Sequence, residues 1–127
     1  MAINAKLSIA TGAVLLSCTS LLWAAAALAQ AFPEESQPGV GAVLHQAPHQ
    51  VRIRFDSRLE EEFSVIVVKD ANGDRVSGRT RLDPESRKIL EVNLPALKAG
   101  DYHVYWNAVS WDGHRTKGDY IFHIKPQ

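Results

Sequence analysis

Residues 106–118 read Trp-Asn-Ala-Val-Ser-Trp-Asp-Gly-His-Arg-Thr-Lys-Gly, and this stretch predicts two β-strands joined by a tight turn. Asp112 and His114 stand two residues apart in the turn, and Gly113 between them can adopt the backbone conformations that a tight turn needs. A carboxylate oxygen and an imidazole nitrogen that face one point suit a divalent cation such as Cu(II) or Zn(II). The competing interpretation is a surface Asx turn with an incidental histidine.

Alternating apolar residues predict that the strand before this turn is half-buried. Tyr102, Val104 and Trp106 share one face, so we expect Trp106 to be buried between two sheets. Asn72-Gly73 is a hairpin signal, and its second arm is expected to begin near Arg75. Other strands are predicted near residues 51–55, 63–68, 89–94 and 120–124. Several short strands with regular turns predict an all-β sandwich, although the pattern does not specify the strand order.

The N-terminal segment predicts export from the cytoplasm. Lys6 precedes a run from Leu7 to Ala29 that is almost wholly apolar, and residues 27–29, Ala-Leu-Ala, have the form of a signal-peptidase site. We interpret residues 1–29 as a cleaved signal peptide and residues 30–127 as one mature domain. Cleavage two residues later, a retained membrane anchor and a lipoprotein site at Cys18 are the alternatives.

Composition excludes several classes of function for residues 30–127. The whole chain has 14 basic and 14 acidic residues, and Lys6 is the only charged residue of the first 29. The mature domain therefore has no basic excess for binding nucleic acid. The single cysteine (Cys18) and the single methionine (Met1) both precede residue 30, so the domain offers no soft ligand for Cu(I). It also has no nucleophile elbow and no glycine-rich phosphate loop, so we do not expect an enzyme.

Two motifs resemble the CopC family of periplasmic copper-resistance proteins. Residues 100–106 match a Gly-x-Tyr-x-Val-x-Trp strand pattern, and residues 109–114 match the Val-Ser-x-Asp-x-His turn that follows it. Pro38, Val51 and Phe55 match the N-terminal half of the family more loosely. The resemblance implies an immunoglobulin-like Greek-key β-sandwich, a periplasmic location and a Cu(II) site.

The resemblance also implies a ligand set that this chain meets only in part. Asp112 and His114 match the two ligands of the turn. The family's N-terminal His, which supplies an α-amine and an imidazole, is replaced by Gln30, which can supply only the amine. A further His of some members falls near Arg54, whose charge would disfavour a metal. His45 or His49 could replace the missing imidazole.

The remaining histidines, His103 and His123, are expected at the surface. The function that the resemblance implies is Cu(II) buffering, or delivery to a CopD-like transport protein of the inner membrane, by a monomer. The alternative is a domain of this fold that has lost tight metal binding and serves as a protein-interaction module.

Overall fold

The computed structural model describes residues 30–127, which form two packed four-stranded sheets. The strands are β1 Pro33–Gln37, β2 Val43–Leu44, β3 Gln50–Phe55, β4 Val65–Lys69, β5 Arg81–Asp83, β6 Ser86–Asn93, β7 Gly100–Val109 and β8 Arg115–Ile124. The sheet orders are β1-β3-β6-β5 and β2-β8-β7-β4. A short 3-10 helix covers Glu61–Phe63. The predicted all-β sandwich is confirmed, whereas the predicted signal peptide, residues 1–29, lies outside the described residues.

The core lies between the sheets, where the alternation of β7 and β8 directs the apolar side chains. Val104 and Phe122 are fully buried, and Tyr102 stacks on Phe122 with 5.4 Å between ring centroids. Trp106 is only partly buried, so the expectation of full burial is wrong. Its indole lies against Gly118 of β8, a residue without a side chain. The indole also makes an edge-to-face contact with the ring of Phe55. The predicted inward orientation is nevertheless observed.

The predicted hairpin at Asn72-Gly73 forms its turn but not a full second strand. Gly73 has a φ of +82°, and the Asp70 carboxylate accepts the N–H groups of Asn72 and Asp74. Only one bridge, Lys69 to Arg75, continues the pairing.

Side-chain hydroxyls replace the missing second arm along the edge of β4. Ser77 Oγ accepts the N–H of Val68, and Thr80 Oγ1 accepts the N–H of Ile66. The backbone N–H groups of Ile66 and Val68 at this edge of β4 therefore have hydrogen-bond partners without a paired strand.

The sandwich has two ends, and only one contains the turn singled out in the sequence. We call it the turn end; it comprises residues 110–114, the start of the described chain at residues 30–32, and the connection 56–63 between the sheets. The opposite end contains β2 and the first residues of β3. No helix among residues 30–127 is long and apolar enough to span a membrane.

Tyr120 joins β8 to the N-terminal segment through a hydrogen bond, and its raised pKa predicts a loss of folding stability at alkaline pH. Its hydroxyl donates to the carbonyl of Pro38 at 2.9 Å, and burial raises the pKa of Tyr120 to about 12. The unfolded phenol ionises near pH 10, so the protein should lose about 2 to 3 kcal/mol of stability as pH rises from 10 to 12.

Denaturant unfolding of wild type and Tyr120→Phe at several pH values tests this expectation. The variant should be less stable by about 1 kcal/mol at neutral pH, and its alkaline loss should be smaller. Burial also raises the pKa of Tyr102, so part of the slope should remain. Parallel pH profiles for the two proteins would contradict the assignment.

Candidate metal site

The turn between β7 and β8 brings Asp112 and His114 together. Gly113 has a φ of +89° and donates its N–H to the carbonyl of Ser110 at 2.8 Å. The N–H of Ser110 donates in turn to the carbonyl of His114 at 2.9 Å, which closes the turn. Asp112 Oδ2 and His114 Nδ1 lie 3.1 Å apart, so the two predicted donors face the same point.

Ser110 fixes the charge and the orientation of Asp112. Its hydroxyl donates to Asp112 Oδ1, and this hydrogen bond is the main reason that the pKa of Asp112 is lowered. Burial opposes the shift, and His114 adds to it. Asp112 is therefore an ionised carboxylate with a fixed orientation at neutral pH. No role was predicted for Ser110, although serine hydroxyls in turns often bond to nearby backbone groups, as Ser110 Oγ does to the carbonyl of His114.

His114 Nδ1 is enclosed by the turn and lies beside the carboxylate of Asp112. The nitrogen is buried and lacks a hydrogen bond of good geometry, even though Asp112 Oδ2 is close to it. Two donors that share one ion at about 2.0 Å and at about a right angle lie about 3 Å apart. The observed 3.1 Å separation fits a shared divalent cation and fits an Asp–His ion pair equally well.

Gln30 also lies at the turn end, because the residues after it are bound there. Ala31 is fully buried, and its carbonyl accepts the hydroxyl of Thr116 at 2.5 Å. Phe32 exchanges hydrogen bonds with Asp56, which follows β3. Thr116 is two residues beyond His114, so an α-amine at Gln30 would begin beside the turn. The structure thus places all three predicted site residues at one end of the molecule.

His45 and His49 do not lie near the turn. β2 pairs with the far end of β8, where Leu44 is opposite Ile124, so His45 is separated from the turn by most of β8. That strand has 10 residues, which corresponds to about 33 Å. His49 precedes β3, whose other end reaches the turn end. Neither histidine can supply the missing imidazole, so that hypothesis is wrong for this fold.

The other predicted positions are accounted for by local partners on the outer faces of the sheets. His103 Nε2 lies 2.5 Å from Asp119, and His123 Nδ1 lies 2.6 Å from Asp101. Arg54 faces outward and pairs with Glu35 at 3.0 Å, so its charge is not directed at the turn. Within residues 30–127, no group of three His, Cys, Asp or Glu side chains converges.

Comparisons with known proteins agree on one family. The model of the CopC domain matches residues 33–125. The chain is 40% identical over 98 residues to the copper transport protein CutJ of Bacillus subtilis, an alignment that covers 76% of this chain but 18% of CutJ. It is 28% identical over 109 residues to protein YobA of Escherichia coli K12, with 84% of each covered.

Solved structures give the same result. CopC from Methylosinus trichosporium OB3b superposes with a TM-score of 0.73 at 26% identity, over 77% of this chain and 96% of that one. PcoC, a methionine-rich copper resistance protein from Escherichia coli, gives a TM-score of 0.69 at 25% identity, over 76% of this chain and 100% of that one.

Proposed function

This chain belongs to the CopC family, and from that premise we propose that it binds Cu(II) at the turn end and buffers it or delivers it to another protein. The observation that carries the proposal is the convergence of an ionised Asp112 and a buried His114 Nδ1, 3.1 Å apart, in a turn fixed by Ser110 and Gly113. In this role copper is cargo, and the protein performs no chemical transformation on it.

The donor set favours Cu(II) over Cu(I). Imidazole, carboxylate and amine donors suit the divalent ion, whereas thiolate and thioether donors suit the monovalent one. The related PcoC is described as methionine-rich, but this chain has only Met1 and only Cys18, both ahead of the described domain. We therefore propose that this protein handles the oxidised ion.

The proposal requires a free amine at Gln30. We propose that residues 1–29 are a signal peptide and that residues 30–127 act as a monomer in the periplasm. The amine of Gln30 would then join Asp112 and His114 as a third donor. High-affinity sites generally use three or four donors, so this site should be weaker and quicker to exchange than one with a second imidazole.

A specific observation supports the alternative function. Among the described residues, Asp112 and His114 have no third His, Cys, Asp or Glu beside them. If the amine of Gln30 is blocked by cyclisation, only two donors remain, and the domain would be a protein-interaction module without tight copper binding.

The relative CutJ supports a transport protein as partner. A domain 40% identical to this chain occupies 18% of a protein named for copper transport. We propose that this chain exchanges copper with a separate CopD-like transport protein of the inner membrane. Neither nucleic acid nor an enzymatic substrate is part of the proposal.

Replacing Gln30 with histidine is expected to strengthen Cu(II) binding by about tenfold or more, because it adds the imidazole that the site lacks. Intact mass of the exported protein first establishes whether the chain begins at Gln30 and whether that residue has lost ammonia by cyclisation. Calorimetric titration with Cu(II) at neutral pH then compares the variant with the wild type.

The matched control for this experiment is Gln37→His. It adds an exposed imidazole at the last residue of β1, the end of that strand away from Gln30. It should not change the affinity at the turn. Cu(II) binding by Gln30→His but not by the wild type would show that the wild type has lost tight metal binding, as the alternative function requires. Equal affinity in a chain that begins at residue 30 would remove Gln30 from the site.

A further inference from the structure

Three aromatic side chains are exposed at the turn end. Phe32, Phe63 and Trp111 have 52%, 58% and 62% of their surface accessible to solvent. We call these three residues the aromatic rim. Aromatic side chains of this size normally bury most of their area in a core or an interface, because each can remove 150 to 250 Å² from water.

Backbone hydrogen bonds hold the three rim residues on one frame around the metal turn. The N–H of Trp111 donates to the carbonyl of Arg58 at 2.9 Å. Phe63 belongs to the short helix that begins just after Glu60, whose N–H donates to the carbonyl of Val109. Phe32 is paired with Asp56 at the start of the same connection.

A buried residue joins the connection to the turn. Leu59, in the middle of the connection, is fully buried and bridges to Ser110 of the turn. The exposed aliphatic residues Val40 and Ile121, in contrast, lie away from the turn. Exposed aromatic surface of this kind is typical of binding hot spots between proteins.

The charge of this end argues for a protein partner rather than a lipid surface. Residues 56–63 contain four acidic side chains and one basic side chain, Arg58. Within the described part of the chain, neither Glu60 nor Glu62 forms an ion pair. Two more basic groups lie at this end: Arg87 of β6, whose guanidinium donates to the carbonyl of Leu59, and Arg115 at the start of β8. With Asp112 of the turn counted, acidic side chains still outnumber basic ones. An acidic surface is repelled by anionic headgroups and attracted by lysine and arginine on a partner.

We propose that the aromatic rim is the surface with which this protein docks on the protein that exchanges copper with it, and that the partner presents an apolar face bordered by basic side chains. This inference rests on the proposed function. Exchange of copper requires the acceptor's ligands to reach the ion held by Asp112 and His114, so the docking surface must surround that turn. The rim is the apolar surface that does so.

The test combines copper binding with copper tolerance in cells. Trp111→Ser and Phe63→Ser, singly and together, replace exposed side chains and should leave both thermal unfolding and the Cu(II) affinity within twofold of wild type. In a host strain that lacks its own copy of the gene, the double variant should lose most of the copper tolerance that the wild type restores. The matched control, Val40→Ser with Ile121→Ser, removes two exposed apolar side chains elsewhere and should restore tolerance fully.

A charge variant tests the role of the acidic residues. Glu60→Lys with Glu62→Lys should also reduce tolerance without changing Cu(II) affinity. Full tolerance with the rim double variant, while the wild type binds Cu(II), overturns the docking surface alone. A wild type that neither binds Cu(II) nor restores tolerance overturns the proposed function and the docking surface with it.

Two outcomes would assign the rim to another occupant. Co-sedimentation of wild type, but not of the double variant, with phosphatidylethanolamine and phosphatidylglycerol vesicles would show that the rim binds a bilayer. A dimer in analytical ultracentrifugation that the double variant abolishes would show that the rim binds a second copy. Either result overturns the protein partner proposed here.

Discussion

Replacing His114 with alanine is expected to lower the Cu(II) affinity by a factor on the order of 100 or more, since loss of an outer-shell partner alone costs 10- to 100-fold. The buried Nδ1 of His114 and the ionised Asp112 are the two side-chain donors of the proposed site. The ion also competes with a proton for the imidazole, so wild-type binding should weaken in acid. Calorimetry and the Cu(II) electron paramagnetic resonance spectrum, in which imidazole nitrogen is visible, measure both effects.

The controls for this substitution are other histidines of the same domain. His103→Ala removes an imidazole that also lies beside an aspartate, but on the outer face of β7. His45→Ala with His49→Ala removes two at the opposite end of the sandwich. Both variants should bind Cu(II) as the wild type does. Unchanged affinity in His114→Ala, or a large loss in either control, would place the copper elsewhere.

Gly118 and Trp106 should show the largest effects on stability, and the two effects should not add. A Cβ at Gly118 would lie 2.5 Å from Cζ2 and 2.8 Å from Cε2 of the Trp106 indole. Gly118→Ala should therefore cost about 1 to 3 kcal/mol through overpacking. Trp106→Ala should cost about 3 kcal/mol, the lower end for a tryptophan, because the side chain is only partly buried.

The double variant separates this contact from other causes. Once the indole is removed, alanine at 118 should be neutral or stabilising by about 0.5 to 1 kcal/mol, since alanine is a better strand residue than glycine. Denaturant unfolding of the four proteins gives the coupling energy. Gly78→Ala is the control, because a Cβ there meets only an ordinary contact 3.6 Å away. Additive losses at 106 and 118 would mean that the indole does not lie on Gly118.

The segments with the strongest alternation were the ones that could be predicted. In β7 the buried residues include Tyr102 and Val104, and in β8 they are Tyr120, Phe122 and Ile124. This alternation allowed the two strands, their inward faces and the turn between them to be predicted from the sequence. β1 was not predicted, because Pro33–Gln37 carries no apolar alternation and forms only by pairing with β3. The order of the strands in each sheet could not be predicted either, since it depends on contacts between segments that are distant in the sequence.

In the candidate site, too, features set by neighbouring residues could be predicted, and features set by contacts between distant segments could not. Asp112, Gly113 and His114 are adjacent in sequence, so their convergence could be predicted. The separation of His45 and His49 from the turn follows from the parallel pairing of β2 with the far end of β8, which no local pattern indicates. The hydroxyls that replace the second hairpin arm, at Ser77 and Thr80, are likewise set by tertiary contacts.

The hydrogen bond from Thr116 to the carbonyl of Ala31 fixes the chain beside the turn, so under the proposed function the position of proteolytic cleavage would determine how many metal donors the site has. Cleavage after residue 29 would leave a single residue ahead of that bound carbonyl, so the new amine would be held beside the turn. Cleavage after Ala31 would make Phe32 the first residue and remove both that carbonyl and the amine of Gln30. Two exported forms of one gene product would then differ in copper binding without any change in the fold, and the signal peptidase would complete or omit a ligand.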